Sequence, residues 1–210
     1  MEELQQSVIH GRQQNVVQLT EQLLERGIPA GEILRDGLLS GMKEVGRRFE
    51  EGEFFIPEML LAARALNAGL DLLKPLLEDS DVEPVARVVL GTVKGDIHDI
   101  GKNLVAIMLR GGGFEVIDAG VDVSPDRFVE LVRETQADVV GLSALLTTTM
   151  PSMQDTVDAL VAHGLRDKIK IMVGGAPVTE AYAKQIGADG YARDASVAVR
   201  LAAQLVQATP

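Results

Sequence analysis

ARVVLGTVKGDIHDIG, residues 86–101, is the stretch that decides the fold. From Val88 to Val93 it holds no charged residue and is rich in β-branched side chains, the composition of a strand covered on both faces. A polar, glycine-flanked segment follows from Gly95 to Gly101, carrying two acids and a histidine. Four more runs of the same kind lie downstream: FEVIDAG (114–120), ADVVGLSAL (137–145), KIKIMVGG (168–175) and DGYAR (189–193), with helix-like segments between and after them. Five strand and helix units in alternation predict a five-stranded parallel sheet of the Rossmann-like (flavodoxin-like) α/β class.

Upstream the periodicity is helical. Apolar residues recur at Leu34, Leu38, Met42, Val45 and Phe49, and again at Ile56, Met59, Leu60, Ala63, Leu66, Leu70, Leu73 and Leu77. Gly27 with Pro29 closes one helix, Gly52 closes the next, and Pro57 falls in the first turn of another, where no partner for its N–H is needed. Gly11 divides the first stretch, so a four-helix bundle is expected over residues 1–80. The acidic, proline-bearing segment EDSDVEP (78–84) separates the two periodicities. It reads as a linker and hinge, assigned to residues 81–87, before an α/β domain over 88–210. The fold class is therefore α plus α/β.

Composition removes several classes of function. A chain of 210 residues that is 46% apolar can bury one sizeable core or two small ones. With no cysteine, disulfides, thiolate zinc sites and cysteine-ligated clusters are excluded, and only His10, His98 and His163 remain as imidazole donors. Any metal must lean on very few protein ligands. No basic amino-terminal segment precedes an apolar run, and no stretch approaches the roughly 20 apolar residues that cross a bilayer, so a cytoplasmic protein with no membrane partner is expected. The net charge of −11 divides into −8 before Pro84 and −3 from it onward, and neither part offers the basic stripe that binds a phosphate backbone. Nucleic acid is not an expected partner.

Open parallel sheets bind ligands beyond the carboxyl ends of their strands. Three loops there stand out: Gly95 to Asn103, Ser143 to Thr149, and Gly174-Gly175-Ala176-Pro177. A lone imidazole holds a metal only if something else, such as a macrocycle, supplies the remaining ligands. Asp96, two residues from His98, can accept the proton of the second ring nitrogen and so fix the tautomer. Gly174 and Gly175 let backbone approach a flat or extended ligand, and Ser143 and Thr147 can bond its polar parts. Singly, each has a plainer reading: a solvated histidine, a glycine turn, or threonines capping the helix that begins near Pro151. Phe49, Phe54 and Phe55 cluster at a helix junction, where core packing is the ordinary role.

Together these residues resemble the corrinoid proteins that carry the signature D-x-H-x-x-G, S-x-L and G-G. Asp96, His98 and Gly101 match the first element, Ser143 and Leu145 the second, and Gly174 and Gly175 the third, with 41 residues between Gly101 and Ser143 and 28 between Leu145 and Gly174. The helical half, with GMKEVGRRFEEGEFFIPEMLLAARAL (41–66), is similar to the cap domain of methionine synthase and of corrinoid proteins in one-carbon methyltransferase systems. The resemblance implies a cobamide bound base-off, with His98 replacing its own lower base as the axial ligand of cobalt. It implies that Asp96 orients His98 and that Thr149, where methionine synthase has serine, completes a proton relay that couples axial ligation to proton uptake. Gly95, Ile97, Asp99 and Gly101 would lie in the cofactor loop, and Ser143, Leu145, Thr147, Gly174, Gly175 and Ala195 would line a slot for the nucleotide tail. Phe55 and Met59 would cover the upper corrin face.

On this resemblance the chain is a methyl carrier, non-catalytic alone, served by a methyl-donor methyltransferase for methanol, a methylamine, a betaine or a methoxylated aromatic. An acceptor methyltransferase would pass the group to tetrahydrofolate or coenzyme M, and a reductive activase would maintain the cobalt. A cobalamin-responsive sensor or regulatory module is the alternative. The small subunit of an adenosylcobalamin-dependent mutase fits less well, since such chains generally lack the helical cap.

Overall fold

A computed structural model describes residues 1–77 and 84–207. The chain divides into two compact units at Pro84. Of the expected hinge, residues 81–83 lie outside the described residues, and the first strand starts at Arg87, within the stretch assigned to the linker.

The first unit comprises α1 (Glu2–Ile9), α2 (Gln13–Glu25), α3 (Ala30–Glu32), a π-helical section (Ile33–Leu39), α4 (Ser40–Glu50) and α5 (Ile56–Leu77). The breaks fall at Gly11, Gly27 and Gly52, all with positive φ, the left-handed conformation with which helices commonly end. From Ala30 to Glu50 the backbone is helical throughout, so four helical stretches are present, the third wound more loosely at its centre. That π section was not foreseen, because the spacing of Leu34 and Leu38 also suits an ordinary helix. On α5, Met59, Ala62, Ala63, Leu66 and Leu73 are buried, following the helical period, whereas Phe55, Ile56, Leu60 and Leu61 are exposed. Phe54 packs under the Arg48 guanidinium, 5.2 Å from carbon to ring centroid.

The second unit alternates β1 (Arg87–Val93), α6 (Ile100–Gly111), β2 (Glu115–Val123), α7 (Pro125–Thr135), β3 (Val139–Ser143), α8 (Pro151–Ala162), β4 (Lys170–Gly174), α9 (Glu180–Gln185), β5 (Gly190–Ala192) and α10 (Ala195–Gln207). All pairings are parallel, in the order β2-β1-β3-β4-β5, the doubly wound arrangement foreseen. Alternating side chains feed two cores. Val89, Val140, Leu142, Ile171 and Val173 pack with Phe128, Val129, Met153, Leu160 and Ala183 of α7, α8 and α9. Val88, Val139 and Met172 pack on the other face with Leu109 and Ala202 of α6 and α10. Fully burying one such side chain contributes about 1.5–3 kcal/mol, so each strand is held from both sides. The winding reverses between β1 and β3, which opens a crevice between the loops that follow them.

Candidate functional site

β1 leads its loop out through a tight turn, in which the Asp96 N–H donates to the Val93 carbonyl at 3.1 Å. The buried Thr92 hydroxyl donates to the His98 carbonyl at 2.8 Å, fastening the loop to the strand end. Asp96 thereby lies inside the protein with no exposed surface. Its Oδ1 accepts the His98 backbone N–H at 3.1 Å and His98 Nδ1 at 2.7 Å. Its Oδ2 accepts the Leu145 N–H at 2.8 Å, the Leu146 N–H at 3.3 Å and the Thr149 hydroxyl at 2.7 Å. A carboxylate taken from water is costly unless its lone pairs are met, and here five donors meet them. Burial pushes the Asp96 carboxyl up, but the bonds from Thr149, Leu145 and His98 outweigh it and hold the group well below the ordinary carboxylate range.

An ionised carboxylate only accepts, so Nδ1 of neutral His98 carries the proton and Nε2 carries the free lone pair. The imidazole is 46% exposed, leaving that lone pair open to a ligand. Asp96, His98, Leu145 and Thr149 are thus brought together from the β1 and β3 loops. The threonines do not cap α8: Met150 occupies its N-cap position without a side-chain bond, and the Thr149 hydroxyl is turned to Asp96.

The other expected residues do not join this network. Gly95 supplies the turn, Ile97 is 74% exposed, and Asp99 accepts from the Asn103 side chain at 3.0 Å. Ser143 is half-buried at the end of β3 and Thr147 is exposed in the loop beyond it; among the described residues neither hydroxyl has a hydrogen-bond partner. Gly174 ends β4, and at Gly175 (φ 129) an added Cβ would lie 1.9 Å from the Ala144 carbonyl oxygen, so only glycine lets the two loops touch. Ala195 is buried where α10 begins. In the helical unit Phe55 is 65% exposed, whereas Met59 has no exposed surface.

Some of the site was not foreseen. Ser196, in the first turn of α10, has a buried hydroxyl with no hydrogen-bond partner among the described residues. Lys102, in the first turn of α6, is buried and donates to both oxygens of Asp118 on β2, at 2.6 and 2.7 Å, and to Asn103 at 2.7 Å. Burial raises the Asp118 carboxyl, but the Lys102 ammonium outweighs it and holds the group below its ordinary value. Asp122 bonds the His98 loop from the end of β2. Charged residues around a strand run were the available signal for Lys102, Asp118 and Asp122; nothing marked Ser196.

The donor set fits a corrinoid. No cluster of three or more histidines and acids suited to a metal occurs among the described residues, so a metal held at His98 would need a macrocycle to supply its remaining ligands. Around His98, Ile97, Ile100, Leu145 and Leu146 expose apolar side chains from the same two loops, a surface suited to the underside of a flat macrocycle. At Gly101 an added Cβ would meet nothing within 4 Å, which leaves room beside them. The unpaired hydroxyl of Ser196 is what a buried nucleotide tail would satisfy.

The chain matches known proteins over most of its length. Residues 86–200 match a family described as a B12 binding domain, and residues 1–74 match a second family of the same description. A dimethylamine corrinoid protein of Methanosarcina barkeri is 44% identical over 98% of this chain and 97% of its own length. Among solved structures, the methanol:cobalamin methyltransferase complex of Methanosarcina barkeri superposes with a TM-score of 0.90 at 29% identity, covering 99% of this chain and 79% of that one. A cobalamin-binding protein of Desulfitobacterium hafniense superposes at 0.78 with 37% identity and 96% coverage of both chains.

Proposed function

The chain belongs to the B12-binding corrinoid proteins of methyltransferase systems, and on that premise we propose that it carries a methyl group from a methyl-donor methyltransferase to an acceptor methyltransferase. The observation that carries this reading is the Asp96–His98 pair, whose 2.7 Å bond occupies Nδ1 and leaves Nε2 as the imidazole donor available to a ligand. When bound, a cobamide supplies the hard chemistry, since its reduced cobalt is a nucleophile toward methyl groups and its methylated cobalt a donor of them.

The chain's residues bind, orient and manage one proton. His98 Nε2 would be the axial ligand, holding the cobamide with its own lower base displaced. Asp96 keeps the imidazole in the tautomer that ligates, and Thr149 shares the carboxylate with it. A proton taken up when the imidazole lets go would be held between His98 and Asp96, so ligation and protonation are coupled. Gly95, Asp99 and Gly101 would form the cofactor loop. Ser143, Leu145, Thr147, Gly174, Gly175 and Ala195, with Ser196, would line the slot for the tail. Of the two residues expected to cover the corrin, Phe55 is exposed and Met59 is buried within the helical unit.

A methylamine is the preferred donor class, supported by the 44% identity to a dimethylamine corrinoid protein. Methanol, betaines and methoxylated aromatics complete the panel, with tetrahydrofolate and coenzyme M as acceptors and a reductive activase to restore oxidised cobalt. The test incubates reconstituted, reduced protein with purified donor methyltransferases and follows methylation of cobalt by its absorption spectrum. Methylation by one donor system, and demethylation by one acceptor system, is expected; inertness toward every member would reject the carrier role.

A further inference from the structure

β2 does not keep simple register with β1. Leu90 pairs with Asp118, Gly91 with Gly120 and Val93 with Val123, so β2 carries extra residues along this pairing, the last of them at Val121 and Asp122. An extra residue of this kind bends a strand and re-aims its side chain, commonly beside functional loops. Asp122 also has a φ of 53, a left-handed backbone that aspartate tolerates better than most side chains but still at a cost. What these distortions accomplish is visible in two bonds. Asp122 Oδ1 accepts the Gly95 N–H at 2.7 Å, and the Asp122 N–H donates to the Asp96 carbonyl at 2.9 Å. The Gly95–Asp96 dipeptide is therefore gripped at both ends from β2. The remaining bonds of Asp96 go to its own loop and to Leu145, Leu146 and Thr149 beyond β3.

We infer that Asp122 is a positioning residue for the cobalt-ligating imidazole, holding Gly95–Asp96 so that the Asp96 carboxylate, and through it His98 Nε2, points in one direction. The two strands that flank β1 have complementary roles. The β3 side supplies hydrogen-bond donors to the Asp96 carboxylate, and β2 supplies the anchor that keeps its backbone in place. This rests on the reading of His98 as the axial ligand.

Three substitutions separate the parts of the device. Asp122→Asn keeps an oxygen acceptor and tolerates the left-handed backbone, Asp122→Gly frees the backbone but removes the acceptor, and Asp122→Ala removes the acceptor and keeps the strain. The readouts are the fraction of cobalt(II) protein whose paramagnetic resonance shows coupling to an imidazole nitrogen, and the hydrogen-exchange rate of the Gly95 amide in cobamide-free protein. Asp122→Asn should match the parent. In Asp122→Gly and Asp122→Ala the ratio of ligated to unligated histidine should fall about fivefold, equivalent to ~1 kcal/mol, and the Gly95 amide should exchange faster. An unchanged ratio in the glycine variant, or a loss in Asp122→Asn as large as in Asp122→Ala, would overturn the inference. If Asp122→Ala does not fold, the glycine variant still decides. His98→Ala is the separate control: coupling that survives there would refute the ligand assignment itself, whatever the Asp122 series shows.

Discussion

At the scale of single residues, Asp96 has the most demanding position in the molecule. A fully buried carboxylate survives because donors from two loops are aimed at it, and those bonds hold its pKa down. A carboxyl depressed in the folded state stabilises that state above its unfolded pKa. The contribution is lost as pH falls below the ordinary value of 3.8 toward the lower folded one. Thr149→Val removes one donor while keeping the shape, and should cost about 1–2 kcal/mol at neutral pH. Because that cost attaches to the ionised form, it should persist through the ordinary carboxylate range and shrink only at the lower pH where Asp96 takes up its proton in the folded protein. Thr149→Ser, which keeps the hydroxyl, should retain the parent's pH dependence. Urea unfolding of the cobamide-free proteins distinguishes these outcomes; a serine variant as destabilised as the valine variant would show that the hydroxyl bond to Asp96 is not what the threonine supplies.

At the scale of elements, the loops are built by contacts between strand ends. Gly175 shows it most sharply, since any Cβ there must push against the Ala144 carbonyl and prise the β3 and β4 loops apart. Gly175→Ala should therefore destabilise the cobamide-free protein by about 1–3 kcal/mol through backbone strain and weaken cobamide binding at least about tenfold, ~1.4 kcal/mol, as measured by equilibrium dialysis. Undiminished affinity would mean that the glycine pair merely turns the chain.

The same distinction explains what could be read in advance. Strand ends, helix breaks at Gly11, Gly27 and Gly52, and the Asp96–His98 spacing are local chemistry, so residue order reveals them. The doubly wound order follows from the alternation of strand and helix. The π section at Ile33–Leu39, the extra residues of β2, the buried Lys102–Asp118 pair and the hydroxyl of Ser196 depend on which distant segment lies opposite. Periodicity carries no record of that. Thr147 and Thr149 illustrate the boundary: by residue type both suited a cap of α8, only the family resemblance assigned Thr149 to the relay, and the tertiary structure turns Thr149 inward to Asp96 and leaves Thr147 exposed.

At the scale of the whole molecule, a sheet with two covered faces presents one imidazole at its switch point, and the described part of the chain holds no cluster of three or more side chains suited to a metal and no helix long and apolar enough to cross a membrane. Binding that favours the folded state must raise its stability, by ~2.7 kcal/mol when free cobamide is a hundred times its Kd. The thermal midpoint should therefore rise with cobamide concentration in the parent protein; a midpoint indifferent to cobamide would mean that the folded chain does not bind it. The central claim, however, is that His98 itself ligates cobalt. The chain has three histidines, His10, His98 and His163, so histidine can be labelled selectively with nitrogen-15. In the cobalt(II) form of protein made this way, the paramagnetic resonance lines should split into doublets from a labelled axial nitrogen, and the doublets should vanish in His98→Ala. Triplets from an unlabelled nitrogen would mean that the cobamide's own base remains on the metal, and would contradict the account.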